Sequence, residues 1–214
     1  LETLSEVADH GRYDFSHTDI RNQESLSELF SMYQPSAVVH LAAESHVDRS
    51  IDGPGAFLET NVIGTYSLLQ AVRGYLDTLN STRLKDFRFQ HVSTDEVYGS
   101  LGLEGAFTES SPYQPRSPYA ASKAASDHLV QAWAETYGIP SVISNCSNNY
   151  GPYQYPEKLI PMVIGKALRH ESIPVYGSGS NVRDWLYVDD HARALLLILE
   201  KGLSGRTYNV GGAA

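Results

Sequence analysis

Two short stretches of this chain hold the residues best suited to chemistry. Ser93-Thr94-Asp95-Glu96-Val97-Tyr98-Gly99 gathers two adjacent acids and two small hydroxyls. Ser117-Pro118-Tyr119-Ala120-Ala121-Ser122-Lys123 sets a phenol four residues before an ammonium. On a helix that spacing puts Tyr119 and Lys123 on one face, a turn apart. A free tyrosine has a pKa of about 10 and is a poor base, but a nearby cation favours the phenolate. A tunable phenol, an acid, a second carboxylate and a hydroxyl suffice for redox chemistry at a carbinol and proton transfer on neighbouring carbons. With 14 tyrosines in the chain, the Tyr-x-x-x-Lys spacing alone is weak evidence. Its place one βα unit after Ser-Thr-Asp-Glu gives it weight.

The elements that must position these groups follow from hydrophobic patterning. Phe87-Arg88-Phe89-Gln90-His91-Val92 alternates as a strand does, so Thr94, Asp95 and Glu96 fall at its carboxyl end, where open α/β sheets hold ligands. Residues 1–20 read as polar and irregular. A helix carrying Leu26, Leu29, Phe30 and Tyr33 stops before Pro35. Residues 36–43 predict a strand apolar and buried on both faces, passing into the small and polar Leu41–His46. Residues 55–79 predict one long helix. The Tyr119 helix runs to Tyr137 and stops at Gly138. Val142–Asn145 reads as a strand, Glu157–His170 as a helix and Pro174–Tyr176 as a short strand. Asp189 or Asp190 is a candidate N-cap for a helix to Lys201, and Thr207–Val210 closes as a strand. Strands alternating with helices of this length predict parallel βαβ units.

Bulk properties narrow the function classes. Sixteen Lys and Arg against 25 Asp and Glu give a net charge of −9, with no basic block, which argues against nucleic acid or an anionic membrane as partner. The longest apolar run, Ala194–Leu199, is too short to span a bilayer. A single cysteine, Cys146, excludes an internal disulfide framework and fits a cytoplasmic setting. No His, Cys and Asp cluster has metal spacing, so no metal is expected. Blander roles stand beside the chemical ones. Asp95 and Glu96 could be a solvated strand-end turn, Asn148-Asn149 turn formers, Arg183 a surface charge and Lys158 a solvated helix position. His40 and His91 read as core residues and Cys146 as a small buried one.

Taken together, Leu41-Ala42-Ala43, Tyr119-x-x-x-Lys123, Asn149-Tyr150-Gly151-Pro152 and Arg183-Asp184-Trp185 resemble the extended short-chain dehydrogenase/reductase family. Its nucleotide-sugar 4,6-dehydratase branch is matched by Ala43-Glu44-Ser45-His46-Val47-Asp48-Arg49-Ser50, by Ser93–Gly99 and by Cys146–Tyr153. The resemblance implies an α/β, Rossmann-like doubly wound parallel sheet, with residues 1–150 as dinucleotide-binding domain. Residues 151–214 would be mainly part of a smaller C-terminal substrate-binding lobe. It implies NAD kept through the catalytic cycle and a nucleotide-sugar substrate, dTDP-glucose first among them. Tyr119 would take the proton of the sugar 4-hydroxyl, Lys123 would hold the ribose and lower the phenol's pKa, and Thr94 would hydrogen-bond the 4-oxygen. Glu96 would remove the C5 proton and Asp95 would protonate the departing 6-hydroxyl. Cofactor contacts implied by position are Asp19, Ile20, Leu41, Ala42, Ala43, Thr60 and Asn149, besides Tyr119 and Lys123. Substrate contacts are Ser45, Thr94, Asn148, Lys158, Leu159, Pro174, Tyr176 and Arg183, the last neutralising the diphosphate.

Two rivals share these residues in part. A 4-epimerase or nucleotide-sugar decarboxylase of the same fold is opposed by Asp95, and a catalytically silent binding subunit by the intact set of five reactive groups. The glycine-rich loop and the acidic residue expected to grip the dinucleotide are absent from this sequence, so it reads as a fragment lacking an amino-terminal βαβ unit and the carboxyl end. The long helices at 55–79 and 119–137 carry more apolar residues than one sheet face needs, so a homodimer is expected.

Overall fold

The computed structural model describes residues 2–101, 105–175 and 178–212. Its first long helix, α1 (Gln23–Tyr33), starts where the Asn22 side chain accepts from the Ser25 amide, and buries Leu26 and Phe30. It ends at Gln34, in the left-handed region just ahead of Pro35. β1 (Ala37–His40) is followed by two short helices, α2 (Val47–Asp52) and α3 (Pro54–Phe57). Leu58–Gly64 winds as a π-helix, leading into α4 (Thr65–Leu76) and α5 (Ser81–Asp86). β2 (Arg88–Thr94) runs straight into a 3₁₀ turn, Asp95–Tyr98. α6 (Pro118–Tyr137), β3 (Ser141–Cys146) and β4 (Asn148–Tyr150) come next. The order closes with α7 (Leu159–Leu168), β5 (Trp185–Tyr187), α8 (Val188–Lys201) and β6 (Thr207–Val210).

Four strands make one parallel sheet in the order β1-β2-β3-β6. Thr94 stands opposite Cys146, and Cys146 opposite Val210, so three strands finish level at one edge. α1 packs on α4 and α4 on α6, with α6 against β2 and β3, while α8 lies over β2, β3 and β6. Helices therefore cover both faces, the doubly wound α/β arrangement. That cover explains why Ser141–Asn145, five consecutive residues of β3, are all buried. Leu69, Val72, Phe87, Phe89, Val130 and Ile139 form the centre of the core. Burying each large apolar side chain contributes roughly 1.5–3 kcal/mol.

Several elements differ from the sequence reading. β1 stops at His40 and is an edge strand of this sheet, which leaves Val39 39% exposed where burial on both faces was expected. The single helix expected over 55–79 is three segments. Within its π segment the Asn61 carbonyl accepts from Ser126 Oγ of α6 at 2.6 Å. Gly64, at the end of that turn, admits Ile20; a Cβ there would lie 2.5 Å from Ile20 Cδ1. α7 is shorter than 157–170 at both ends. Tyr187, not Asp189 or Asp190, occupies the N-cap of α8; the two acids sit in its first turn, facing the positive end of the helix dipole. Residues 171–175 form no strand, and Tyr176 lies outside the described residues. A second, two-stranded parallel sheet of β4 and β5 occupies segments that read as turn and polar loop.

Candidate active site

The carboxyl ends of β1, β2 and β3 carry the reactive groups. β2 delivers Thr94, whose hydroxyl caps the 3₁₀ turn by accepting from the Glu96 amide at 3.3 Å. The turn aims Asp95 and Glu96 off the sheet edge, half-buried, and ends at Gly99. Gly99 has φ 93°, and a Cβ there would run into the Gln114 carbonyl oxygen, so this turn requires glycine. Across from it, Ser117 caps α6 by accepting from the Ala120 amide, with Pro118 at the first helical position. That start fixes Tyr119, whose ring meets Phe57 edge-on at 6.3 Å.

The electrostatics show what these groups share. Burial pushes the Tyr119 phenol well up, the charge of Glu96 pushes it further, and a hydrogen bond with Thr94 pulls it partly back. The Lys123 ammonium, buried in α6, donates to the Val92 carbonyl at 2.8 Å. Burial also raises both carboxyls. Asp95 is raised further by Asp184, and Glu96 by Asp95, while Arg183 draws both down and Lys158 draws down Glu96. Thr94, Asp95, Glu96, Tyr119, Cys146, Lys158 and Arg183 thus feel one another's charge or hydrogen bonds.

A side chain that the sequence reading passed over organises the neighbouring loop. Asn61 accepts from the Glu44 amide at 2.8 Å and donates to the Glu44 carbonyl at 3.0 Å and to Ser122 Oγ at 2.9 Å. It ties the loop after β1 to α6 between Tyr119 and Lys123. Leu41 and Ala42 are left exposed on that loop, with Ala43 half-buried. At the end of β3, Cys146 Sγ lies 3.4 Å from the Ser93 carbonyl, and burial pushes its thiol up to about 11. It is inert as a nucleophile in that state. Asn149 is no turn former but a β4 residue; its Nδ2 donates to the Ser147 carbonyl at 3.0 Å and its Oδ1 meets His191 Nδ1 at 2.8 Å. His191, like Asn61, gave no sequence signal beyond being polar on a predicted helix.

The remaining expected residues are less tightly gathered. Asn148 begins β4, half-buried. Lys158 is not a solvated helix residue: it precedes α7 and donates to the Ser45 carbonyl at 3.0 Å, beside an Arg49–Glu157 pair at 2.6 Å. Arg183 is exposed and touches its neighbour's carbonyl, at Val182. Leu159 and Pro174 are exposed, and among the described residues no recorded contact brings either to the carboxyl pair. Asp19 is turned to Arg21 at 2.7 Å, while Ile20 packs against Gly64 and Thr60 lies half-buried in the same π segment. Among the described residues, no group of three His, Cys, Asp or Glu side chains is gathered as a metal site, and no helix is long and apolar enough to cross a membrane.

Comparison with known proteins places this geometry. The dTDP-glucose 4,6-dehydratase of Shigella flexneri is 56% identical over 221 residues, covering 99% of this chain and 61% of that protein. The solved dTDP-glucose 4,6-dehydratase of Streptomyces venezuelae, with NAD bound, superposes with a TM-score of 0.92 at 47% identity, over 100% of this chain and 62% of that one. A UDP-glucose 4-epimerase of Thermotoga maritima superposes with a TM-score of 0.82 at 31% identity, over 92% of this chain and 62% of that one. The chain thus spans about three fifths of the curated relatives it matches. The family described as GDP-mannose 4,6 dehydratase matches all of residues 1–214, and the chain belongs to that family.

Proposed function

We propose that the complete protein is an NAD-dependent hydro-lyase that converts dTDP-glucose to dTDP-4-keto-6-deoxyglucose. The observation that carries this reading is the half-buried Asp95–Glu96 pair, both carboxyls raised, beside Thr94 and Tyr119. Its support is the naming of relatives at 53% to 58% identity for that dehydration.

The residues fit NAD. Leu41, Ala42 and Ala43 offer an apolar shelf at the end of β1, its loop fixed by Asn61, and His191 holds the Asn149 amide in place. Asp19, Ile20 and Thr60 would face the adenine half. When bound, NAD supplies the acceptor for a hydride from C4 and the donor that returns it to C6. Lys123 would hold the ribose and lower the phenol's pKa, so that the Tyr119 oxygen takes the proton of the 4-hydroxyl while Thr94 hydrogen-bonds the 4-oxygen. The new ketone acidifies C5–H. Glu96 removes that proton, Asp95 gives its own to the 6-oxygen, and water leaves. Glu96 then returns its proton to C5 as C6 is reduced. Opposite starting protonation of two adjacent carboxyls is what this elimination requires, and burial, which raises both, disfavours ionising the two together.

Arg183 is the candidate partner of the diphosphate, and Ser45, Asn148, Lys158, Leu159, Pro174 and Tyr176 of the rest of the nucleotide sugar. Residues 1–150 act as the dinucleotide-binding domain, and residues 151–214 belong mainly to a substrate-binding lobe. The π segment, α4 and α6 expose Leu58, Ile63, Tyr66 and Tyr137, which supports a homodimer; a monomer mass in light scattering of the complete protein would sink that assignment. A lone reduced cysteine suits the cytoplasm.

The test is to incubate the complete protein with NAD and a panel of dTDP-, UDP-, GDP- and CDP-hexoses and weigh the products. Loss of one water from dTDP-glucose alone is expected. Unchanged mass with inverted C4 would mean an epimerase, loss of carbon dioxide from an acid sugar a decarboxylase, and no product a silent subunit.

A further inference from the structure

One turn beyond Lys123, α6 buries a carboxylate. Asp127 is fully buried, and its Oδ2 accepts from Ser93 Oγ and from the Tyr113 hydroxyl, each at 2.9 Å. Its Oδ1 lies 3.1 Å from His91 Nε2 but outside hydrogen-bond geometry, and is otherwise unpartnered. Tyr113 in turn accepts from Asn145, which also donates to Tyr98. Ser93 and Tyr113 would be served equally by the oxygen of an amide. The chain nevertheless buries a full carboxylate, which is unfavourable unless a cation answers it.

Among the described residues, the groups around it leave one buried cation. His91 on β2 and His40 on β1 are held well below the ordinary imidazole range by burial and are neutral. Cys146 faces the pair from β3 as a thiol, pushed up to about 11 by burial. Tyr98 and Tyr113 face it as neutral phenols, and His128 stands exposed beside it on α6. Lys123, four residues back on the same helix face, is buried and makes its one recorded hydrogen bond to a carbonyl, not to an anion. Burial pulls its ammonium down, and Asp127 is the first charge that holds it up. Asp127 itself is pushed up to about 6 by burial, with Lys123 the first charge drawing it back.

We propose that Asp127 is a positioning residue for Lys123: the buried counter-charge, a helical turn away, that keeps the ammonium charged at the floor of the site. This rests on reading Lys123 as part of the reactive set, but its test does not depend on turnover. Lysine labelled with carbon-13 at Cε reports the charge of Lys123 by NMR as pH is raised in the complete protein, with Lys123→Arg to assign the signal. In the wild type Lys123 is cationic at neutral pH, where an unpartnered buried lysine has already lost its proton. In Asp127→Asn its midpoint falls by about one to three pH units, and Asp127→Glu restores it. Tyr113→Phe removes a hydrogen bond from Asp127 but no charge, and leaves the midpoint in place. Were Asp127→Asn not to fold, the wild-type curve would still decide, since a neutral Lys123 at pH 7 overturns the proposal. So does an unmoved midpoint in folded Asp127→Asn, or an equal fall in Tyr113→Phe. In the same variant the basic limb of kcat moves down with the midpoint while KM holds. Absence of water loss in the wild type would instead refute the dehydratase reading and leave the titration intact.

Discussion

The seam between β2 and α6 and the stretch from Tyr153 to Arg183 both hold residues expected at one candidate site, and they are built by opposite means. In the seam, Thr94, Tyr119, Lys123, Asn61 and Asp127 are held by strand ends, helix starts and buried hydrogen bonds. In the second stretch Lys158, Leu159, Pro174 and Arg183 stand half-buried or exposed, with contacts to main-chain carbonyls or to none recorded. Groups that must meet reacting atoms within a fraction of an ångström gain from a rigid frame. Groups that recognise a charged, variable ligand can sit on segments free to adjust to it.

That contrast predicts that changes in the seam act on kcat and changes in the outer stretch on KM. In the complete protein Tyr119→Phe should lower kcat about a thousandfold while KM holds within about twofold, as steady-state kinetics would show. Asp95→Asn and Glu96→Gln should each cost about a hundredfold in water loss. Their distinguishing mark is partial reaction: reduced cofactor builds up, seen by its absorbance, while no dehydrated sugar appears by mass. Full activity in Asp95→Asn would refute its role as acid. Arg183→Ala should raise KM about tenfold with kcat little changed, since a hydrogen bond to a charged group contributes about 1.5–3 kcal/mol; a pure kcat effect would erase the contrast.

The smallest effect concerns pH. Glu96 must be ionised to act as base, and burial raises its pKa above the ordinary 4.5, so activity is lost on acidification at a pH above that value. Arg183 draws Glu96 down, so Arg183→Ala should move the acidic limb of the kcat profile upward by a fraction of a pH unit. A downward move would mean the outer stretch does not reach the carboxyls electrostatically.

The legible parts of this molecule are those governed by local rules. Alternation in 87–93, Ser117-Pro118 ahead of Tyr119 and Gly138 after Tyr137 each have one physical meaning, and β2 and α6 stand where those signals put them. That Thr94, Asp95, Glu96, Tyr119 and Lys123 are neighbours was legible for the same reason, because a strand end and a helix start lie at one edge. Elements that depend on neighbours were not. β4 and β5 pair only with each other, so neither announces itself as a strand. The bond from Ser126 to the Asn61 carbonyl in the π segment joins residues distant in sequence.

What the sequence by itself determined is thus the α/β order, the strand-end acids and the Tyr119–Lys123 helical face, because each follows from the intrinsic period of a strand or a helix. Only the tertiary structure decided which groups share charge. Lys123 turns to the Val92 carbonyl, with Asp127 beneath it, Glu96 raises Tyr119, and His191 steadies Asn149. Such pairings depend on burial and on distances across the sheet, and a linear pattern of residue types carries neither.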